Sequence, residues 1–244
     1  MEFTHKSYKK MLDLLIQKGY KFCSYSTKET EEKCVILRHD VDFSVEKALE
    51  MAIMENEKNV KSTYFFLIST NFYNVFSKES LEMIMRIILL GHEIGLHFDE
   101  KKYNTENLED MKKHVAKEVD ILSELINRKV NVISMHRPSK LFLKQDVKFD
   151  GLINSYSSEF FNDMKYISDS RMNWRENPIA AIDAQMNKKL HILTHPFWYS
   201  VENESMEFKL KRFLREAVTE RYHFLEDNFR ELNKAITIED VLVE

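Results

Sequence analysis

The chain has 244 residues, 43% of them hydrophobic, enough for one large domain or two small ones. Its 36 basic and 40 acidic side chains leave a formal charge of −4, which gives no footing for nucleic acid or an anionic membrane surface as partner. Residues 1–10 lack the apolar core of a secretion signal, and no run reaches the roughly 18 apolar residues of a membrane span. Cys23 and Cys34, the two cysteines, sit in strand-like runs. Reduced thiols in the cytoplasm are expected, without a disulfide framework.

Taken in order, residues 4–18 show the apolar spacing of a helix, which Gly19 can close. A short strand is predicted over 20–26 and a core strand over 34–42. Ser44 can cap the helix that follows. Residues 60–70 are β-branched and aromatic, hence a strand. A helix carrying Leu81, Ile84, Met85 and Ile88 ends at Gly91, and 92–99 reads as a strand. The spacing from Leu108 to Ile126 predicts a long helix, and 130–135 another strand. Short strands are expected at 151–156 and 165–168, a short helix at 178–186, a strand at 189–194, a long helix over 210–232 and a closing strand or turn at 235–238. Strands alternating with helices argue a mostly parallel sheet, and the absence of any linker argues one domain, 1–244.

The chemically able residues gather at strand ends: Asp40 and Asp42, His97 and Asp99, His136 and Arg137, and His195. That distribution is expected of a barrel active site. Asp40 and Asp42 share a strand face, so two like charges need something positive between them. Asp42 and His97 offer a divalent cation one oxygen and one nitrogen. Asp40 could act as general base, Arg137 could orient it through a forked hydrogen-bond pair, and His195 could serve as acid. Arg38 shares the face of Asp40, either in a salt bridge to a core carboxylate or in contact with substrate. His39 points the other way, and His92 reads as structural.

These motifs resemble the polysaccharide deacetylases, the NodB-homology or carbohydrate esterase family four. Asp40-Val41-Asp42 matches an aspartate pair whose first member is base and second a metal ligand. Residues 91–97 (GHEIGLH) match a motif whose last histidine binds metal. Arg137-Pro138 and residues 192–195 (ILTH) match two further motifs. The resemblance implies a distorted (β/α) barrel of about seven strands, a divalent metal with zinc the expected ion, and removal of an N- or O-linked acetyl group from a sugar. The wording RHDVDFS, GHEIGLHFD, MHRPS and LTHPFW is similar to a cytoplasmic branch encoded among O-antigen and surface-polysaccharide genes. Residues 169–174 resemble a groove-lining segment through Asp169, Arg171 and Trp174, with a surface loop as the other reading. The chain departs from the family where a second ligand histidine is usual, since Lys101 stands there. The third metal ligand is then His136 by first choice, Asp99 by second, or solvent. That gap leaves a rival reading: a barrel without catalysis that binds a carbohydrate or a partner protein.

Overall fold

Hydroxyl and amide side chains open the helices. Thr4, Ser44, Ser77 and Asn107 each accept a hydrogen bond from the backbone N–H three residues on. The computed structural model describes residues 1–27, 32–103, 107–143 and 145–242, with the Leu141 side chain left aside. They divide into two compact units, 1–201 and 202–244. The first runs α1 (His5–Gln17), β1 (Lys21–Phe22), β2 (Cys34–Val41), α2 (Val45–Asn56), β3 (Thr63–Phe66), α3 (Lys78–Leu89), β4 (Glu93–Asp99) and α4 (Leu108–Leu125). It continues with β5 (Val132–His136), α5 (Lys140–Leu143), β6 (Ile153–Asn154), α6 (Ser158–Phe161), β7 (Lys165–Ser168), α7 (Pro178–Ala184) and β8 (Lys189–Thr194).

Every strand pairing is parallel. The order is β6-β5-β4-β3-β2-β8-β7, with β1 beside the first residues of β2. This curled seven-strand sheet with helices is the distorted (β/α) barrel that the motifs imply. The strands are shorter than their apolar runs predict: residues 60–70 contribute only Thr63–Phe66, and 151–156 only Ile153–Asn154.

Every residue of β2 is buried, so both faces are spoken for. Cys34 and Ile36 join Tyr25, Phe65, Val132 and Phe160 in one cluster, while Val35 and Leu37 join Leu12, Leu15 and Ile192 in another. The alternation then commits Arg38 and Asp40 to the first face and His39 to the second. Gly95 of β4 is required by space: a Cβ there would stand 2.4 Å from the Phe65 ring.

Behind the sheet, Glu55 of α2 is fully buried. It accepts hydrogen bonds from Tyr8 (2.5 Å), Ser62 (2.6 Å) and Tyr64 (2.7 Å), and lies 2.8 Å from His39 Nε2. Burial alone would raise its pKa, but the charge of and hydrogen bond from His39, with the other donors, bring it down to about 2. On β8, His191 sits between the Tyr25 hydroxyl (2.8 Å) and the Phe160 carbonyl (3.2 Å). Burial, then the Arg38 charge, pushes it down to about 3.

The second unit holds α8 (Met206–Asn228), opened by Ser205, and α9 (Ile238–Val241). Of the strand or turn expected at 235–238 the structure has a turn at Ala235, directly after the 3-10 turn Leu232–Lys234, and then the entry to α9 at Ile238. Thr237 and Asp240 form a capping box there, which commits the backbone to a helix. Among the described residues no helix is long and apolar enough to cross a membrane.

Both depressed pKa values act in the same direction. Between pH 6.5 and about 3 the unfolded chain holds a proton on His191 that the folded chain refuses. Between pH 4.5 and about 2 the same is true of Glu55. The contribution of these two groups is therefore full above pH 6.5 and falls steadily with acidification, and thermal melts from pH 7 to 3 will show it. Replacing His191 with Phe flattens the upper part of that slope.

Candidate metal centre

The floor of the site is a buried ion pair. Arg38 is fully buried and forks onto Asp40, Nε to Oδ1 and Nη2 to Oδ2, both at 2.8 Å. Nη2 also donates to the Ser134 hydroxyl, and the guanidinium lies 4.8 Å from the Tyr156 ring centre. Burial pushes the Asp40 carboxyl up, yet the Arg38 charge and hydrogen bonds outweigh it and hold the carboxyl below its ordinary range. The forked pair expected from Arg137 is thus made by Arg38, for a local reason: strand alternation puts residues 38 and 40 side by side on one face. Arg137 follows β5 with φ +53° and stays exposed; its Nη2 donates to Asp99 Oδ2 at 2.5 Å.

Asp42, just past β2, meets two imidazoles. His97 Nδ1 lies 3.2 Å from the Ser134 carbonyl, which can only accept. Nδ1 therefore carries a proton, and the ring turns Nε2 toward Asp42. That Nε2 is 3.2 Å from Asp42 Oδ1 and 3.6 Å from Asp40 Oδ2. His136 Nδ1 lies 3.3 Å from the same Asp42 oxygen and 3.2 Å from His97 Nε2. The register sets this up: β4 and β5 pair His97 with Ser134 and Asp99 with His136. Asp42 Oδ1 is buried and accepts no hydrogen bond.

Two ring nitrogens and a carboxylate oxygen in a triangle of 3.2–3.3 Å edges fit a divalent cation. Ligands about 2.1 Å from a tetrahedral zinc stand about 3.4 Å apart, and three protein ligands leave the fourth position open. Burial would raise the Asp42 carboxyl, but the imidazoles of His136 and His97 set against it and the charge of His195 hold it well below the carboxylate range. Asp99, the other candidate third ligand, is turned elsewhere. It accepts from the Lys101 backbone N–H at 3.1 Å and from Arg137.

His195 arrives from β8, its Nε2 3.9 Å from Asp42 Oδ2. Its Nδ1 is 2.6 Å from Asp169 Oδ1, and Asp169 is fully buried. Asp169 also accepts from the His195 backbone N–H (3.1 Å) and from the Tyr199 hydroxyl (3.0 Å). Burial would lower the His195 pKa, but the Asp169 charge and hydrogen bond dominate and raise it to about 9. Sequence reasoning had Asp169 only as a groove-lining residue. The available signal was its position immediately after a strand, but only the β7–β8 pairing shows which histidine it serves. His39 and His92 lie away from the trio. His39 contacts Glu55 and Thr194, and His92 contacts Ser62 and the Ala52 carbonyl. Trp174 stacks against Phe3.

No family model matches the chain, and no curated protein does. Among solved structures it is similar to a CE4 family pseudoenzyme from Bacillus anthracis, at 15% identity and TM-score 0.45, covering 76% of this chain and 62% of that one. It is also similar to a family 4 carbohydrate esterase from Bacillus anthracis, at 18% identity and TM-score 0.44, covering 84% and 85%. A third is the peptidoglycan deacetylase PdaC from Bacillus subtilis, at 11% identity and TM-score 0.44, covering 82% and 98%. The chain thus spans less than two thirds of the pseudoenzyme. Likeness at this level leaves the chemistry to be argued from the side chains themselves.

Two measurements test the geometry. Zinc binds at one ion per chain by elemental analysis and calorimetry. Asp42→Ala or His136→Ala weakens it by more than the roughly 10–100-fold that losing an outer-shell partner costs. Arg38→Met strands the buried Asp40 charge and lowers unfolding stability by about 3–5 kcal/mol in denaturant titration.

Proposed function

We propose that the chain is a metal-dependent hydrolase that removes an acetyl group, N- or O-linked, from a sugar. The observation that carries this reading is the triangle of Asp42, His97 and His136 beside two groups poised for proton transfer. A divalent ion held there, zinc by its donor set, supplies Lewis acidity and a water of lowered pKa. Asp40 is ionised and locked by Arg38, so it can take a proton from an attacking water as general base. His195 is kept protonated by Asp169, so it can hand a proton to the leaving nitrogen or oxygen. Water and acetylated sugar become acetate and the free amine or hydroxyl. Arg137, expected to orient Asp40, has no contact with it and falls outside these steps.

The finer reading, a cytoplasmic precursor in O-antigen or surface-polysaccharide synthesis, is supported by the wording of residues 38–44, 91–99, 135–139 and 193–198 alone. The rival reading, a binding module that has lost catalysis, drew its force from Lys101. With His136 at the trio, and Asp40 and His195 beside it, it has less to explain.

Zinc-loaded protein offered acetylated amino sugars and sugar acetates releases acetate. Asp40→Asn lowers kcat by roughly 10²–10⁴-fold while zinc affinity stays within a few-fold. Failure to release acetate from any of these sugars, with zinc, cobalt or manganese supplied, would defeat the hydrolase reading. Saturable sugar binding without turnover would favour the binding module.

A further inference from the structure

We propose that a cleft beside the metal triangle seats a phosphoryl group of the substrate, gripped by Lys101, Arg137 and Arg171. The proposal rests on the hydrolase reading and names the class of sugar it takes: one carrying a phosphate ester or diphosphate linkage.

The cleft has a volume of about 680 Å³ and is lined by Lys101, Arg137, Arg171, Asn107, Ser139 and Glu100 among others. Glu100 is the one carboxylate of that lining. Arg137 is already balanced and steadied by Asp99. Lys101 and Arg171 are exposed, and neither has an ion pair among the described residues. Two positive side chains thus line the cleft with a third, and among the described lining residues Glu100 is the one carboxylate to neutralise them.

Topology ties the cleft to the site. Lys101 lies four residues past His97, Arg137 directly follows His136, and Arg171 is two past Asp169. Each cation therefore comes from the segment leaving a strand that feeds the triangle or the His195 pair. Arg137, Arg171 and Met172 all adopt left-handed φ, at +53°, +59° and +53°. Residues with a Cβ visit that region rarely, and here they do so where two guanidiniums flank one cleft.

The donor balance selects the ligand. Neutral sugar hydroxyls call for mixed donors and acceptors, whereas three of the four charged side chains of this lining, Lys101, Arg137 and Arg171, are N–H donors, beside the apolar Leu108, Met111 and Pro138. Guanidinium forks match the oxygens of a phosphoryl group, and a lysine ammonium adds a point charge. Lys101 stands where a further ligand histidine was expected. A protonated lysine is no metal ligand but is a good anion contact. The departure from the motif becomes a specificity feature.

The test uses the zinc-loaded 244-residue chain titrated calorimetrically with inorganic phosphate at low salt. Saturable binding is expected, weakened about tenfold in Lys101→Gln and again in Arg171→Gln. It persists in Asp42→Asn, where the triangle is broken. In turnover, the kcat/KM ratio of N-acetylglucosamine 1-phosphate to N-acetylglucosamine exceeds one and falls toward one in the double variant Lys101→Gln, Arg171→Gln. No phosphate binding, or binding that ignores both substitutions, overturns the proposal. Binding abolished only by Asp42→Asn assigns the phosphate to the metal and overturns it too. Cleft-dependent phosphate binding with no preference for the phosphorylated sugar overturns the substrate assignment. Phosphate binding of the expected kind with no acetate release from any sugar would instead strike the hydrolase reading alone.

Discussion

Two carboxylates at one strand end can both stay charged only if positive charge reaches each, and the first unit is built so that it does. Arg38 meets Asp40 from within the barrel, two residues back on the same face, so the counter-charge comes from the strand itself. Asp42 draws on the charge of His195 and lies against the rings of His97 and His136, each delivered by a different strand. A bare carboxylate among apolar side chains would take up a proton and lose both its ligand and its base character. The buried guanidinium is costly to desolvate, and it is held by Asp40, Ser134 and the Tyr156 ring together. Removing any one of these contacts loosens the floor on which the rest of the site stands.

The alternation of β2 separates two polar systems. On the inner face Arg38 and Asp40 serve the candidate centre. On the outer face His39 joins Glu55, Thr194 and, through Glu55, the hydroxyls of Tyr8, Ser62 and Tyr64. The first system presents an acceptor oxygen with no donor, and the second satisfies its carboxylate completely. That contrast distinguishes a place prepared for a cation from a place prepared only to hold helices against a sheet. By the same contrast, His92, just before β4, and His97, within it, come to opposite uses.

Lys101 shows how a motif can mislead by position. The resemblance made its missing imidazole look like a missing ligand. In three dimensions His136 Nδ1 fills the triangle from the neighbouring strand, because β5 is paired with β4 in a register that sets His136 opposite Asp99. The lysine stands outside the candidate trio and lines a cleft with two arginines.

Much of the fold was legible in the residues. Apolar spacing marked the helices, β-branched runs marked the strands, and clustering of His, Asp and Arg at strand ends marked the business end of a parallel barrel. Asp40, Asp42, His97 and His195 could be named as candidates because each lies at or just past the end of an apolar strand, and His136 as the candidate for the ligand that Lys101 does not supply. Other features depended on long-range placement. The partner of Asp40 hinged on which of two arginines a strand's pleat would deliver, and Arg137 was turned to Asp99 by a left-handed backbone that spacing does not reveal. Asp169 reaches His195 across 26 residues only because β7 and β8 lie side by side. Local chemistry, period and composition are written residue by residue and can be read that way. Which charge faces which is settled by sheet register and order, where a shift of one residue exchanges the faces.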